Sequence, residues 1–171
     1  GKIEIFKDLQ NMTELKKDLT EYIDLKDVQP KPEDILIESI GKNLNESINY
    51  LSMMGLNDAF IFFFFFKELS DGQKYRYRLA KALSQQPNFL FIDEFCANLD
   101  RTTAKVISYN IQRVCRKNNI CLFAATTHND IKEDLNPSVV VEKKFMDEVE
   151  VKYLPYEKKN ISFYNDMKII E

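Results

Sequence analysis

Apolar positions along the chain change period several times, and each change marks an element. Ile3 and Ile5 flank Glu4 in a short strand-like opening, after which Leu15, Leu19, Tyr22 and Ile23 recur at helical spacing. Val28-Gln29-Pro30-Lys31-Pro32 then interrupts regular structure, because each proline fixes its own φ and biases the preceding residue away from helix. Leu44, Ile48 and Leu51 give one helical face, with Gly55 placed to end that helix in a left-handed cap. Phe60-Ile61 and five consecutive phenylalanines, Phe62 to Phe66, follow with neither period. Such a run reads either as a buried segment or as an exposed docking patch.

Beyond Glu68 the pattern is regular. Ser70-Asp71-Gly72-Gln73 has the S-x-x-Q form of a capping box, and Tyr75, Leu79, Ala82 and Leu83 line one face of the helix it opens. Pro87-Asn88 closes that helix. Phe89 to Ile92 reads as a fully buried strand with Asp93-Glu94 at its carboxyl end. Asp100 is placed to cap a helix whose apolar face is Ile107, Ile111, Val114 and Cys115, and Asn118-Asn119 closes it. A second buried strand, Cys121 to Ala125, runs into Thr126-Thr127-His128. Strand, helix and strand make a βαβ unit with parallel strands, whose carboxyl ends share the edge where open α/β sheets bind ligands. If the two strands are neighbours, as consecutive strands often are, Asp93, Glu94 and His128 converge on that edge. After Pro137, Val139 to Val141 and the alternating Val149, Val151 and Tyr153 predict further strands.

Composition narrows the class. The chain has 171 residues, 44% hydrophobic and 30% charged, with a formal net charge of −3, which suits one folded, soluble domain. Basic residues are interspersed with acidic ones, so no cationic stripe points to nucleic acid. Cys96, Cys115 and Cys121 form no CxxC pair and His128 is the single histidine, which leaves a Cys/His zinc site short of ligands. Buried free thiols in a reducing cytoplasm are expected. No apolar run approaches the ~20 residues that span a bilayer, and neither a signal peptide nor a membrane partner is indicated. Gly1 in place of a methionine suggests a cut from something longer.

Four segments now stand in one order: Leu69-Ser70-Asp71-Gly72-Gln73, Phe89 to Glu94, Ala97-Asn98-Leu99-Asp100 and Thr127-His128-Asn129. Together they resemble the signature motif, Walker B strand, D-loop and switch histidine of the ATP-binding-cassette (ABC) ATPases, over about residues 69 to 130. Asp71 replaces a usual first glycine, and Phe95 stands where proline is common after the Walker B glutamate. The wording around Ser70 and Asp93 looks most like soluble archaeal members, some fused to an acetyltransferase-like domain. The resemblance implies an α/β, P-loop NTPase-like parallel sheet with a helical subdomain, here incomplete. It divides the chain into a helical subdomain with the signature helix (about 30–85), a catalytic βαβ core (about 86–141) and C-terminal strands (142–171).

It also implies ATP and Mg²⁺ as cofactors. Asp93 would hold the water shell of Mg²⁺, since that ion binds a few carboxylates plus phosphates and keeps several waters. Glu94 would be the general base for the attacking water, and His128 would contact the γ-phosphate. Ser70, Gly72 and Gln73 would seat the γ-phosphate of ATP held by the opposite protomer, although a capping box alone accounts for Ser70 and Gln73. Asp100 would reach across the dimer interface, or serve only as a helix cap. Gln29 would be the Q-loop glutamine, or simply a glutamine beside a proline turn. A lone histidine at a strand end likewise has a bland reading as a polar residue.

The G-x-x-x-x-G-K-[ST] loop that cradles phosphates is missing, because Gly1, Gly41, Gly55 and Gly72 are the only glycines and none fits it. Two classes remain open. The chain is either part of an ATPase that works as a homodimer or with a second ABC half, its loop lying upstream with any fused domain, or a non-catalytic module that dimerises through an inherited helix. A third use, as the nucleotide-binding subunit of a membrane transporter, needs the same motifs.

Overall fold

The computed structural model describes Asp8, residues 22–143 and residues 149–155. Ile3, Ile5, Leu15 and Leu19, with the strand and helix expected on them, lie outside the described residues. Three parallel strands form the central sheet, in the order β1 (Tyr22–Asp24), β2 (Phe89–Ile92), β3 (Cys121–Ala124). Tyr22 faces Phe89 across the β1–β2 ladder, and Ile92 faces Ala124 across β2–β3. The helical spacing of Tyr22 and Ile23 was thus overridden by pairing with β2, since a three-residue strand draws its stability from the ladder rather than its own period.

β2 is the centre of the core. Leu90, Phe91 and Ile92 are wholly buried, as a strand covered on both faces requires. β3 departs from the expectation of a buried strand ending at Ala125: it ends at Ala124, exposes Cys121 and half-buries Leu122, Phe123 and Ala124. Among the described residues it pairs on one side only, which leaves the other edge and part of each face open. Cys96 and Cys115 are buried free thiols, whereas Cys121 is exposed for the same reason.

Helix α1 (Leu44–Met53) ends where Gly55 takes φ +77, the left-handed conformation expected of it. Its buried face is Ser47, Tyr50 and Leu51; Leu44 is 61% exposed and belongs to the solvent side. Helix α2 (Asp71–Ser84) packs on α1 and buries Tyr77, Leu79, Ala80, Ala82 and Leu83 completely. The buried Arg76 guanidinium donates to the Gly55 carbonyl at 2.8 Å, so the charge is satisfied at the end of α1. Helix α3 (Arg101–Lys117) links β2 to β3 and turns Ile107, Ile111, Val114 and Cys115 inward, as its periodicity predicts. A single-turn helix α4 (Lys132–Leu135) precedes the antiparallel hairpin of β4 (Val139–Lys143) and β5 (Val149–Tyr153).

The phenylalanine run is neither wholly buried nor wholly a surface patch. Ile61 and Phe62 are buried and Phe66 packs on the core, while Phe60 and Phe63 are 79% and 70% exposed. Backbone bonds pin the run against residues 34–37: Ile37 N–H donates to Phe62 O (3.1 Å), Leu36 N–H to Phe64 O (3.2 Å) and Phe66 N–H to Asp34 O (2.9 Å).

The two helical faces give a direct check. Leu79→Ala is expected to cost about 2–5 kcal/mol of unfolding free energy because it opens a cavity in a closed core. Leu44→Ala should stay within about 0.5 kcal/mol. Chemical denaturation of both variants measures the contrast.

Candidate functional site at the carboxyl edge of the sheet

Because β1, β2 and β3 are parallel, the residues that follow each of them emerge on one edge. Gln29 lies beyond β1, Asp93 and Glu94 follow β2, and His128 follows β3. The ladder continues past the strands: Ala125 N–H donates to Ile92 O at 2.9 Å, and Phe95 N–H donates back to Ala125 O at 2.8 Å. Thr126 extends the tie. Its hydroxyl donates to Phe95 O and accepts from His128 N–H, both at 3.1 Å. The exposed acidic pair and the half-buried His128 are therefore joined through one short chain of backbone and hydroxyl bonds.

The loop after β2 is locally strained. Glu94 has φ +51 and Cys96 φ +58, left-handed values that non-glycine residues rarely adopt and that cost on the order of 1–3 kcal/mol each. One Asp93 carboxylate oxygen accepts from Glu94 N–H at 2.9 Å, and Ala97 N–H closes a turn onto Glu94 O at 3.0 Å. Phe95 and Cys96 side chains are wholly buried, which directs the turn's apolar atoms inward and leaves both carboxylates in solvent. Burial pushes the Cys96 thiol up to about 12, so it stays protonated and inert.

At the start of α2 the capping box is present: Ser70 N–H donates to Gln73 Oε1 at 2.9 Å, and Gln73 N–H to Ser70 Oγ at 3.4 Å. The exposed Ser70 and half-buried Gly72 thus sit at the positive end of a 14-residue helix. Gly72 lies close to the loop that follows the acidic pair, since a Cβ there would stand 3.4 Å from Leu99 Cδ2. Asp71, Lys74, Tyr75 and Arg78 of α2 line a cavity of about 510 Å³ together with Gln29 and Asn98. Gln29 is exposed and donates to Lys26 O at 2.6 Å.

Asp100 caps α3, accepting from Thr103 N–H at 3.0 Å. Hydrogen bonds from the Thr103 side chain and then its amide hold the Asp100 carboxyl below the usual carboxylate range. Arg101 pairs with Asp130 at 3.1 Å, which ties the start of α3 to the segment after His128.

Three further residues of the site have no motif to announce them. Arg78 donates to the carbonyls of Val28 (2.9 Å) and Leu25, anchoring the Gln29 turn to α2. Tyr75 accepts from Cys96 N–H at 2.9 Å, and Thr126 makes the bridge described above. Arg78 shares a helix face with Asp71, Lys74 and Lys81 and carried no signal that set it apart from them, while Tyr75 and Thr126 read as ordinary core and strand-end residues.

No three His, Cys, Asp or Glu side chains gather into a metal cage among the described residues. The donor set at the edge, Asp93 beside Glu94, fits a Mg²⁺ ion that keeps its waters and takes phosphate oxygens from a nucleotide. It does not fit a metal held by protein ligands alone.

Comparison with known proteins decides the family. Residues 3–97 match the profile described as ABC transporter, more than half of the 171-residue chain. The chain belongs to the ABC transporter family. The α/β architecture with a parallel sheet is that of the family's P-loop NTPase fold, here a partial domain. The match takes in Ser70, Gly72, Gln73, Asp93 and Glu94 and ends before Asp100 and His128.

A methionine import ATP-binding protein of Acinetobacter baylyi is 30% identical over 100 residues, covering 58% of this chain and 28% of that protein. A lipoprotein-releasing system ATP-binding protein of Rhodopirellula baltica is 34% identical over 70 residues, covering 41% of this chain and 31% of its own length. A methionine import ATP-binding protein of Listeria monocytogenes is 32% identical over 107 residues, covering 61% and 31%. The chain therefore spans less than a third of the length of these relatives.

The Asp100 cap carries its own pH signature in this ABC domain. Asp100→Ala should lower unfolding free energy by about 1 kcal/mol at neutral pH. The folded-state carboxyl lies below its unfolded value of about 3.9, so the advantage of the parent is complete above that pH and shrinks as pH falls through the folded value. Paired thermal melts from pH 7 to acid conditions follow the difference.

Proposed function

We propose that these residues supply the signature helix and the water-activating edge of an ATP-hydrolysing domain that closes as a pair around ATP. The phosphate loop would come from a segment outside the 171 residues. The observation that carries this reading is the bonded chain from the Asp93-Glu94 turn through Ala125 and Thr126 to His128, which puts two carboxylates and an imidazole on one sheet edge. Glu94 serves as general base toward the attacking water. Asp93 orients the water shell of Mg²⁺, and His128 holds the water and the γ-phosphate end of the site. When bound, Mg-ATP supplies the transferable phosphoryl group, whose charge the metal offsets.

The N-terminus of α2, with Ser70, Gly72 and Gln73, offers backbone N–H groups to a phosphate held by the opposite half. Gln29, whose side chain here donates to Lys26 O, would have to leave that bond to meet the metal from the turn that Arg78 anchors, and Asp100 would meet the paired half at the start of α3. The partner is a second copy or another ABC half. Import and release functions in the names of the relatives support use of that ATPase to drive a membrane transporter, with the exposed phenylalanines Phe60 and Phe63 available for a membrane subunit.

Absence of a phosphate loop from the sequence favours one other reading, a non-catalytic module that completes another subunit's site. Mutagenesis separates the two in a protein that joins these residues to a phosphate loop. Glu94→Gln keeps shape and hydrogen bonding but cannot take the water's proton, so kcat should fall about 10²–10⁴-fold while ATP-dependent pairing persists. Ser70→Arg should block pairing, and Asp93→Asn should raise the Mg²⁺ requirement. Turnover at the parent rate by Glu94→Gln would move the assignment to the non-catalytic module.

A further inference from the structure

The turn that presents Glu94 is held at three successive amides, each by a different element. Glu94 N–H goes to Asp93 Oδ1 (2.9 Å), Phe95 N–H to Ala125 O (2.8 Å) and Cys96 N–H to the Tyr75 hydroxyl (2.9 Å). The first is local and the second comes from the neighbouring strand. Only the third reaches the turn from α2, the helix whose N-terminus is the proposed phosphate seat.

Cys96 is wholly buried and has φ +58, so its amide is cut off from water and sits in a conformation the chain resists. An acceptor at that point both satisfies the amide and holds the left-handed turn, and with it the direction in which Glu94, at φ +51, leaves the backbone. Tyr75 suits that position, because burial raises its phenol well above the usual range and the hydroxyl stays neutral at any working pH. Tyr75 lies about one turn into α2, close enough to its start that a shift of the helix is felt at the turn.

We propose that Tyr75 is a positioning residue for the Glu94 carboxylate, keeping it in register with the phosphate seat at the start of α2. The role rests on the ATPase reading above. Packing alone does not require the hydroxyl, since a phenylalanine would fill the same space.

Tyr75→Phe tests it in two settings. In the 171-residue chain, amide hydrogen exchange at Cys96 should be protected in the parent and about tenfold faster in the variant, with the core of α3 unchanged. In the protein that joins these residues to a phosphate loop, kcat should fall on the order of tenfold with KM for ATP nearly unchanged and the melting temperature lowered by only a few degrees, as the loss of one buried hydrogen bond requires. A parent Cys96 amide that exchanges freely, a variant with the parent's kcat, or a variant whose kcat, KM and melting temperature all worsen together would each overturn the role. Failure of the ATPase reading looks different: there the parent itself does not hydrolyse ATP, and the positioning role falls with it.

Discussion

Parallel pairing of β2 with β3 is the constraint on which the rest of the site depends. A continuous apolar run at Phe89–Ile92 is stable only when covered on both faces, and α3, fed by the Asp100 cap, returns the chain so that Cys121–Ala124 lies beside it. Once Ile92 faces Ala124, the next residues have little freedom. Phe95 N–H meets Ala125 O, Thr126 meets Phe95 O, and the acidic pair and His128 emerge on the same edge. A slip of one residue would turn Phe95 outward and break each of these bonds.

The strained turn after β2 shows how a stable core holds an exposed acidic loop in one conformation. Two left-handed residues are tolerated because the buried Phe95 and Cys96 side chains and three directed hydrogen bonds over-determine their position. The carboxylates gain exposure from the same geometry. Helix α2 takes part at both ends of the problem: Ser70 and Gly72 at its start, Tyr75 and Arg78 along its length, the latter holding the turn that carries Gln29.

What could be read from the sequence was whatever depends on local spacing. Ser70 with Gln73, Asp100 and Gly55 act through neighbours within four residues, and each took the cap or turn its pattern predicts. The order of the site segments was legible for the same reason. What could not be read depends on distant partners. Tyr22–Asp24 became a strand because β2 lies next to it, and Leu44 turned outward because α2 covers a different stripe of α1. Residues 34–37, some thirty residues upstream, supply the backbone partners that split the phenylalanine run into buried and exposed members. Glu94 and Cys96 carry no glycine to announce a left-handed turn, and Tyr75 meets Cys96 across 21 positions of sequence. β3 was expected to be buried because its run is apolar, but burial also needs a neighbour on its second side, and among the described residues it has none.

The central proposal is that these residues would supply the water-activating edge and the signature helix of an ABC site without the loop that grips ATP. Titration calorimetry of the 171-residue chain with Mg-ATP tests it most directly. The account predicts no saturable heat in the micromolar range, because the α2 N-terminus alone gives a phosphate too few contacts. Stoichiometric micromolar binding would contradict it and would mean that a phosphate site exists within these residues.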